Sequence, residues 1–311
     1  MAIGNGSGTG TVASLHIHPI KSCRRVEVES VTASTTGLVG DREWQVISEI
    51  KPVTQRSNRR LAVVEVTPIE GGLRLAAPGH SAIEVERPGA ADTTSGSLIG
   101  VKVDAADAGD QAARWFGEVL DEEVRLVALP TGGSVRVPDG LNIFGHTTTS
   151  QDALAQEIAF NDLSPVLVAN SASYDWLAAR ASEPFPIDRF RSNIVVETDE
   201  PFSEDTWATF RIGQAAFRHG VIWPRCAVPQ VDQETGERRK EPAVVLKAHR
   251  WCASAPNLPE TLRPVVENSG IFGIGCSVGP VGTQIAVGDT LTVDETMAPI
   301  MTSPIMTNPN G

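Results

Sequence analysis

Short apolar runs with β-branched residues, separated by Gly- and Pro-bearing turns, fill the first third of the chain. They fall at residues 12–17, 26–33, 43–47, 61–67, 73–76, 83–85 and 98–103, and that density predicts a barrel or sandwich. The period changes at 110–120, where Ala113, Phe116 and Leu120 recur at helical spacing behind Asp110, an acidic start that favours a helix N-terminus. A second half opens with an apolar strand over 165–169 and a helix over 174–181 that Ser173 would cap. Further strands are expected at 193–197, 209–212, 215–219, 244–248 and 284–293. The segment 130–165, rich in Gly, Pro, Thr and Asn, reads as the join between halves or as a loop over a cleft. Residues 1–10 read as a flexible leader and the uncharged, Pro-bearing 297–311 as a flexible tail.

With 311 residues, 41% of them hydrophobic and 21% charged, the chain has the make-up of an ordinary globular protein, long enough for about two domains. A formal net charge of −12 argues against broad nucleic-acid binding, which needs a basic stripe, but leaves room for a local basic pocket. No apolar run reaches the ~20 residues of a membrane span, and the opening segment resembles neither a secretory signal nor an arginine-rich transit peptide. The expectation is a cytoplasmic protein that binds neither membrane nor nucleic acid. Four cysteines, Cys23, Cys226, Cys252 and Cys276, form no C-x-x-C pair, so a special cysteine acts alone or in a cofactor bond.

Among residues that carry chemistry, Arg225 stands beside Cys226 in the stretch 223–236, and its charge would favour the thiolate that nucleophilic attack and soft-metal binding both need. Alone, such a pair reads more readily as a packed or incidental thiol, which leaves Cys226 structural. Arg191 and Asn193 lead into a β-branched run; in an extended strand they share a face, offering a guanidinium fork and an amide to a phosphate or a polar ring. Near the start, Lys21, Ser22 and Arg42 could converge on an anion, without the Gly-rich loop of a P-loop. Asp162 and Ser164 stand at a strand entry, where they cap a turn or face a cleft. His16 and His18 share a strand face but suggest no third metal ligand, and neither a nucleophile elbow nor a dinucleotide fingerprint is present.

Taken in order, these motifs resemble the molybdenum-cofactor sulfurase C-terminal, or MOSC, family, and more closely its branch that includes the mitochondrial amidoxime-reducing component. The likeness runs from Val12 to about Val293: Pro-Ile-Lys-Ser-Cys at 19–23, Gly-Leu with Asp-Arg-x-Trp at 37–44, Asp-x-Ser-Pro at 162–165, Phe-Arg-x-Asn-Ile-Val at 190–195, and Arg-Cys at 225–226 followed by Asp and Thr-Gly. Glu241-Pro242 through Arg250, Phe272-Gly273 and Val287-Gly288-Asp289 complete it. The resemblance implies a β-rich α+β fold, with an N-terminal MOSC β-barrel domain at 11–135 packed on a MOSC β-barrel domain at 136–296, and Mo-molybdopterin between them. It makes Cys226 the metal ligand and catalytic residue, and assigns cofactor binding to Lys21, Ser22, Arg42, Ser164, Arg191, Asn193 and Arg225. Lys21, Arg42 and Arg191 would clamp a phosphate, and Asn193 would pair with a pterin edge.

Pro224, Ile274-Gly275 and Cys276 depart from some relatives and put the substrate pocket in question. The implied activity is a molybdenum-dependent oxidoreductase that reduces N-hydroxylated small molecules, with electrons from a separate ferredoxin, flavodoxin-like or cytochrome partner. Sulfur transfer through a Cys226 persulfide, or a non-catalytic cofactor carrier, is the alternative.

Overall fold

A computed structural model describes residues 4–5, 8–89, 93–98, 101–136, 157–255, 267–299 and 301. Most of the expected 130–165 connection and most of the expected tail lie outside the described residues.

Seven strands close into a barrel in the order Thr9–Ile17, Thr290–Thr296, Trp207–Ile212, Ala215–Arg225, Gly270–Gly279, Val166–Asn170, Ile194–Glu197, with the last pairing back to the first. Its core is packed by Leu15, Val168, Ile194, Phe210, Phe217, Ile274 and Leu291, all fully buried. The pairing of Val166–Asn170 with Ile194–Glu197 is parallel. The helix Ser171–Ala178 lies in the crossover that a parallel pair requires.

Several strands cross the expected division of the chain, among them Ser30–Ser34, which pairs with Gln284–Ala286. Thr9–Ile17 belongs to the barrel of the second half, where it bridges Ile194–Glu197 and Thr290–Thr296. Gly10 allows that seat, because a Cβ there would meet the Glu197 carbonyl oxygen at 2.4 Å. Val31, Ala33 and Leu38 also pack into the barrel core, and from Trp44 on the first half wraps a five-stranded sheet and a three-stranded sheet around a second core. The five-stranded sheet runs Thr93–Leu98, Val101–Asp107, Arg125–Ala128, Trp44–Ser48, Lys51–Pro52; the other is His80–Glu86, Gly72–Ala77, Glu65–Ile69. The helix Gly109–Leu120 covers that core with Ala112, Trp115, Phe116, Val119 and Leu120. Its stripe therefore starts at Ala112 rather than Ala113, as the i, i+3, i+4, i+7, i+8 spacing demands.

Several elements differ from expectation for local reasons. Residues 59–63 form a 3₁₀ turn capped by the Asn58 side chain, so the strand expected from 61 begins at Glu65. The expected strand 98–103 is instead two antiparallel strands with Leu98 opposite Val101. Asn170, not Ser173, caps the helix Ser171–Ala178, since the Ser173 hydroxyl donates to buried Glu204. The apolar run 244–248 is the helix Ala243–His249, started by the Glu241 carboxylate accepting the Val245 N–H, with Val244 left outside. The expected strand 284–293 breaks into Gln284–Ala286 and Thr290–Thr296, because Gly288 adopts a φ of 87° between them. The longest omission is the strand Gly270–Gly279, whose four glycines hide its period.

Candidate functional site

The chain turns that leave the barrel toward the first half converge on one cavity of about 320 Å³, and all eight residues singled out from the sequence line it. That volume is at the small end for a ligand site. Lys21 and Ser22 follow the strand Thr9–Ile17, and Arg42 follows the hairpin through Gly37–Leu38. Ser164 precedes the strand Val166–Asn170, Arg191 closes a 3₁₀ turn, and Asn193 immediately precedes Ile194–Glu197. Arg225 is the last residue of Ala215–Arg225, and Cys226 stands exposed just beyond it. Ser22, Arg42 and Arg191 have φ values of 70°, 52° and 55°, half of the six non-glycine residues described with positive φ. Such strain persists where the surrounding structure over-determines it, and it clusters at binding sites.

Buried hydrogen bonds fix these turns. Lys21 donates to the Phe160 carbonyl at 2.7 Å and to Asp162 at 2.5 Å. Arg42 donates to Asp41 at 2.5 Å, to the Asn193 amide oxygen at 3.2 Å and to the Arg191 carbonyl at 3.2 Å. Burial would raise the Asp41 carboxyl, but Arg42 and His18 hold it down to about 2. It remains the anionic anchor behind the cavity wall, also accepting the His18 N–H and the Asn161 amide. His18 is fully buried; desolvation and the charges of Arg191 and Arg42 drive its pKa well below the ordinary value, so it is neutral.

Asn193 acts on the wall itself. Its amide oxygen accepts from Leu167 N–H and Arg42, and its nitrogen donates to the His16 carbonyl. Both oxygen acceptor positions are thus committed within the protein, where the sequence suggested a pterin partner. Ser164 is similarly engaged, donating to the Cys276 carbonyl at 2.9 Å.

The guanidinium groups of Arg191 and Arg225 are different. Arg191 gives Nη1 to Gln233 at 3.0 Å, yet its buried Nη2 has no partner among the described residues. Arg225 donates Nη2 to the Phe190 carbonyl at 2.6 Å and stacks 5.3 Å from that ring's centre, leaving buried Nε and Nη1 unpartnered among the described residues. Burial first, then repulsion from Arg42, lowers Arg191 to about 9; burial lowers Arg225 to about 10, against the opposing pull of Cys226. Both remain cations at neutral pH. Among the charged residues lining the cavity, Lys21, Arg42, Arg56, Arg191 and Arg225 face a single carboxylate, Asp162. Buried donors without acceptors cost about 1–3 kcal/mol each, and an anion with several oxygens relieves that cost through charge-assisted bonds. The donor set fits a phosphate-bearing ligand, and the thiol of Cys226 is the one soft donor on the lining.

Similarity to known proteins agrees with this geometry. A model described as the MOSC N-terminal beta barrel domain matches residues 9–123, and one described as the MOSC domain matches 155–292. The chain belongs to the MOSC family. This MOSC chain is 33% identical over 294 residues to "Mitochondrial amidoxime reducing component 2" of Rattus norvegicus, covering 90% of this chain and 82% of that one. It is 32% identical over 289 residues to the Homo sapiens protein of the same name, with the same coverage of each chain. Its identity to human "Mitochondrial amidoxime-reducing component 1" is 29% over 288 residues, covering 88% of this chain and 83% of that one.

Several residues that shape the MOSC site were not singled out as such from the sequence. Gln233 lies inside the 223–236 stretch and Asp41 inside Asp-Arg-x-Trp, so their motifs could have marked them. Trp223 opens the same 223–236 stretch, whereas Gln55 and Arg56 bore no such signal. Trp223 is positioned by the glycine strand, because a Cβ on Gly275 would meet Trp223 at 2.8 Å, Val221 at 2.7 Å and Ser164 at 2.8 Å.

Proposed function

We propose that this protein is a molybdenum-cofactor-dependent reductase of N-hydroxylated small molecules, with Cys226 as the ligand to the metal. The observation that carries the reading is the cavity's combination of unpartnered buried guanidinium donors on Arg191 and Arg225 with an exposed thiol on the residue next to Arg225. Lys21, Arg191 and Arg225 would hold the cofactor's phosphate and polar edge, Arg42 and Ser22 would shape that wall, and Asn193 and Ser164 would brace it. When bound, the molybdenum cofactor supplies two-electron oxygen-atom chemistry that no side chain here can perform. The names of the amidoxime-reducing relatives support the substrate class. Electrons come from a separate protein, a ferredoxin, flavodoxin-like protein or cytochrome.

Two measurements test the reading. Purified protein should carry about one molybdenum per chain by elemental analysis, lost in Cys226→Ala. With dithionite or reduced viologen as electron source, the metal-loaded protein should consume benzamidoxime. Metal-bearing protein inert toward benzamidoxime and hydroxylamines would leave a cofactor carrier. The exposure of Cys226 favours one other reading, sulfur transfer through a persulfide on that thiol. Metal-free protein with cyanide-labile sulfur on Cys226 would establish it in place of the reductase.

A further inference from the structure

Between the two walls of the cavity lies a pair of buried amides. Gln55 and Gln233, 1% and 6% exposed, exchange reciprocal hydrogen bonds of 2.9 and 3.0 Å across the junction of the halves. The second donor of Gln55 goes to the Ser22 carbonyl at 2.7 Å, and the second donor of Gln233 to the Val231 carbonyl at 2.9 Å. The Gln233 amide oxygen accepts twice, from Gln55 and from Arg191 Nη1 at 3.0 Å. Arg24 adds a bond to the Gln233 backbone carbonyl at 3.1 Å. Every amide donor is thereby used. The orientation is also determined, because a guanidinium only donates and a flipped Gln233 would turn its NH₂ toward Arg191.

The chemistry of this bracket contrasts with that of Arg42. Arg42 rests on a carboxylate, Asp41, which offsets its charge. Arg191 has its side-chain bond to a neutral oxygen, so its charge is not cancelled by its support.

We propose that Gln55 and Gln233 are positioning residues that hold Arg191 by a neutral acceptor, so that the Arg191 guanidinium, with Asp41 and Asp188 acting on it only from a distance, is not tied up in a direct salt bridge and is left to the anionic group of the ligand. This deepens the cofactor-pocket reading and rests on it. A carboxylate at position 233 would keep an acceptor for Arg191 and pair with it as a salt bridge, removing the charge the ligand needs. A methionine there would keep the volume, remove the acceptor and leave the charge free but badly placed.

The test is titration of cofactor-free full-length protein with inorganic phosphate by calorimetry at several KCl concentrations, alongside thermal melts. Gln233→Glu is expected to bind phosphate at least tenfold more weakly, with a shallower dependence on KCl, and to melt somewhat lower, because the Gln55 amide oxygen and the Val231 carbonyl lose their donor. Gln233→Met is expected to bind about threefold to tenfold more weakly with the wild-type dependence on KCl. It decides the matter if the glutamate variant does not fold. A purely structural bracket would lower the melting temperature yet leave phosphate affinity of the folded protein unchanged. Wild-type protein that binds phosphate, with either folded variant binding within twofold of it, overturns the bracket and leaves the pocket reading standing. Wild-type protein that ignores millimolar phosphate, or an Arg191→Ala variant that binds as tightly as wild type, overturns the pocket reading itself.

Discussion

Truncating Asn193 to alanine separates a residue that touches ligand from one that braces the wall. The side chain is fully buried and joins three segments: Leu167 on the second-half strand entry, His16 on the first strand, and Arg42 from the first half. Leu167 N–H is a lone donor, and burying it without an acceptor costs about 1–3 kcal/mol. The bonds to His16 and Arg42 add about 1 kcal/mol each, the latter softened because Arg42 keeps Asp41 and the Arg191 carbonyl. The total is about 3 kcal/mol, and at about 2–4 °C per kcal/mol for a domain of this class it predicts a fall of roughly 6–12 °C. Cofactor-free protein followed by circular dichroism on heating provides the measurement. A variant that melts within about 1 °C of wild type but no longer retains molybdenum would refute the bracing role and return Asn193 to direct contact with the ligand.

Three further substitutions probe buried ionisable groups and the close packing behind the cavity. Burial and Arg25 lower His16 to about 4, so between its ordinary pKa near 6.5 and that value the unfolded chain binds the extra proton; His16 should remove roughly 3 kcal/mol of stability as pH falls through that window. A His16→Asn variant should show a flatter stability profile from pH 7 to 4 in urea titrations, and an unchanged slope would contradict this. Burial and the adjacent Asp205 raise Glu204, so the unfolded chain releases a proton that the folded one keeps, and stability falls as pH climbs above the ordinary carboxylate range. Glu204→Gln should therefore gain stability relative to wild type at pH 8 compared with pH 5; an equal difference at both would dismiss the linkage. Gly275→Ala should destabilise by about 1–3 kcal/mol, since its Cβ drives into Val221, Trp223 and Ser164. Tryptophan fluorescence should shift as Trp223 moves, and an unaltered spectrum with wild-type stability would be the contrary result.

The chain's own patterns reveal the fold more readily than the wiring. The helix Gly109–Leu120 and most barrel strands follow from apolar periodicity, because each buries one face against a core. The strand Gly270–Gly279 is illegible for a physical reason: its glycines are placed for what its neighbours need, close approach by Trp223 and Ser164, rather than for its own propensity. The helix Ala243–His249 misleads in the opposite sense, since Val244, Val245 and Leu246 look like a strand until Glu241 caps the turn. At the site, charged motif residues signal their gathering in one cavity, as Arg191 and Arg225 do. Gln55 does not, because a neutral amide far away in sequence becomes meaningful only when Gln233 arrives opposite it.

The first strand has a consequence for how the protein is made. Thr9–Ile17 leaves the ribosome long before its two barrel neighbours, Ile194–Glu197 and Thr290–Thr296, are synthesised. Long-separated pairings of this kind form slowly, since a large loop must close before any contact rewards it. Lys21 and Ser22 ride on the end of that strand, so their wall of the cavity reaches its final place only once Thr290–Thr296 has been translated and paired. The pocket thus waits on a distant pairing, and a ligand that needs both walls is held only once that partner strand has arrived.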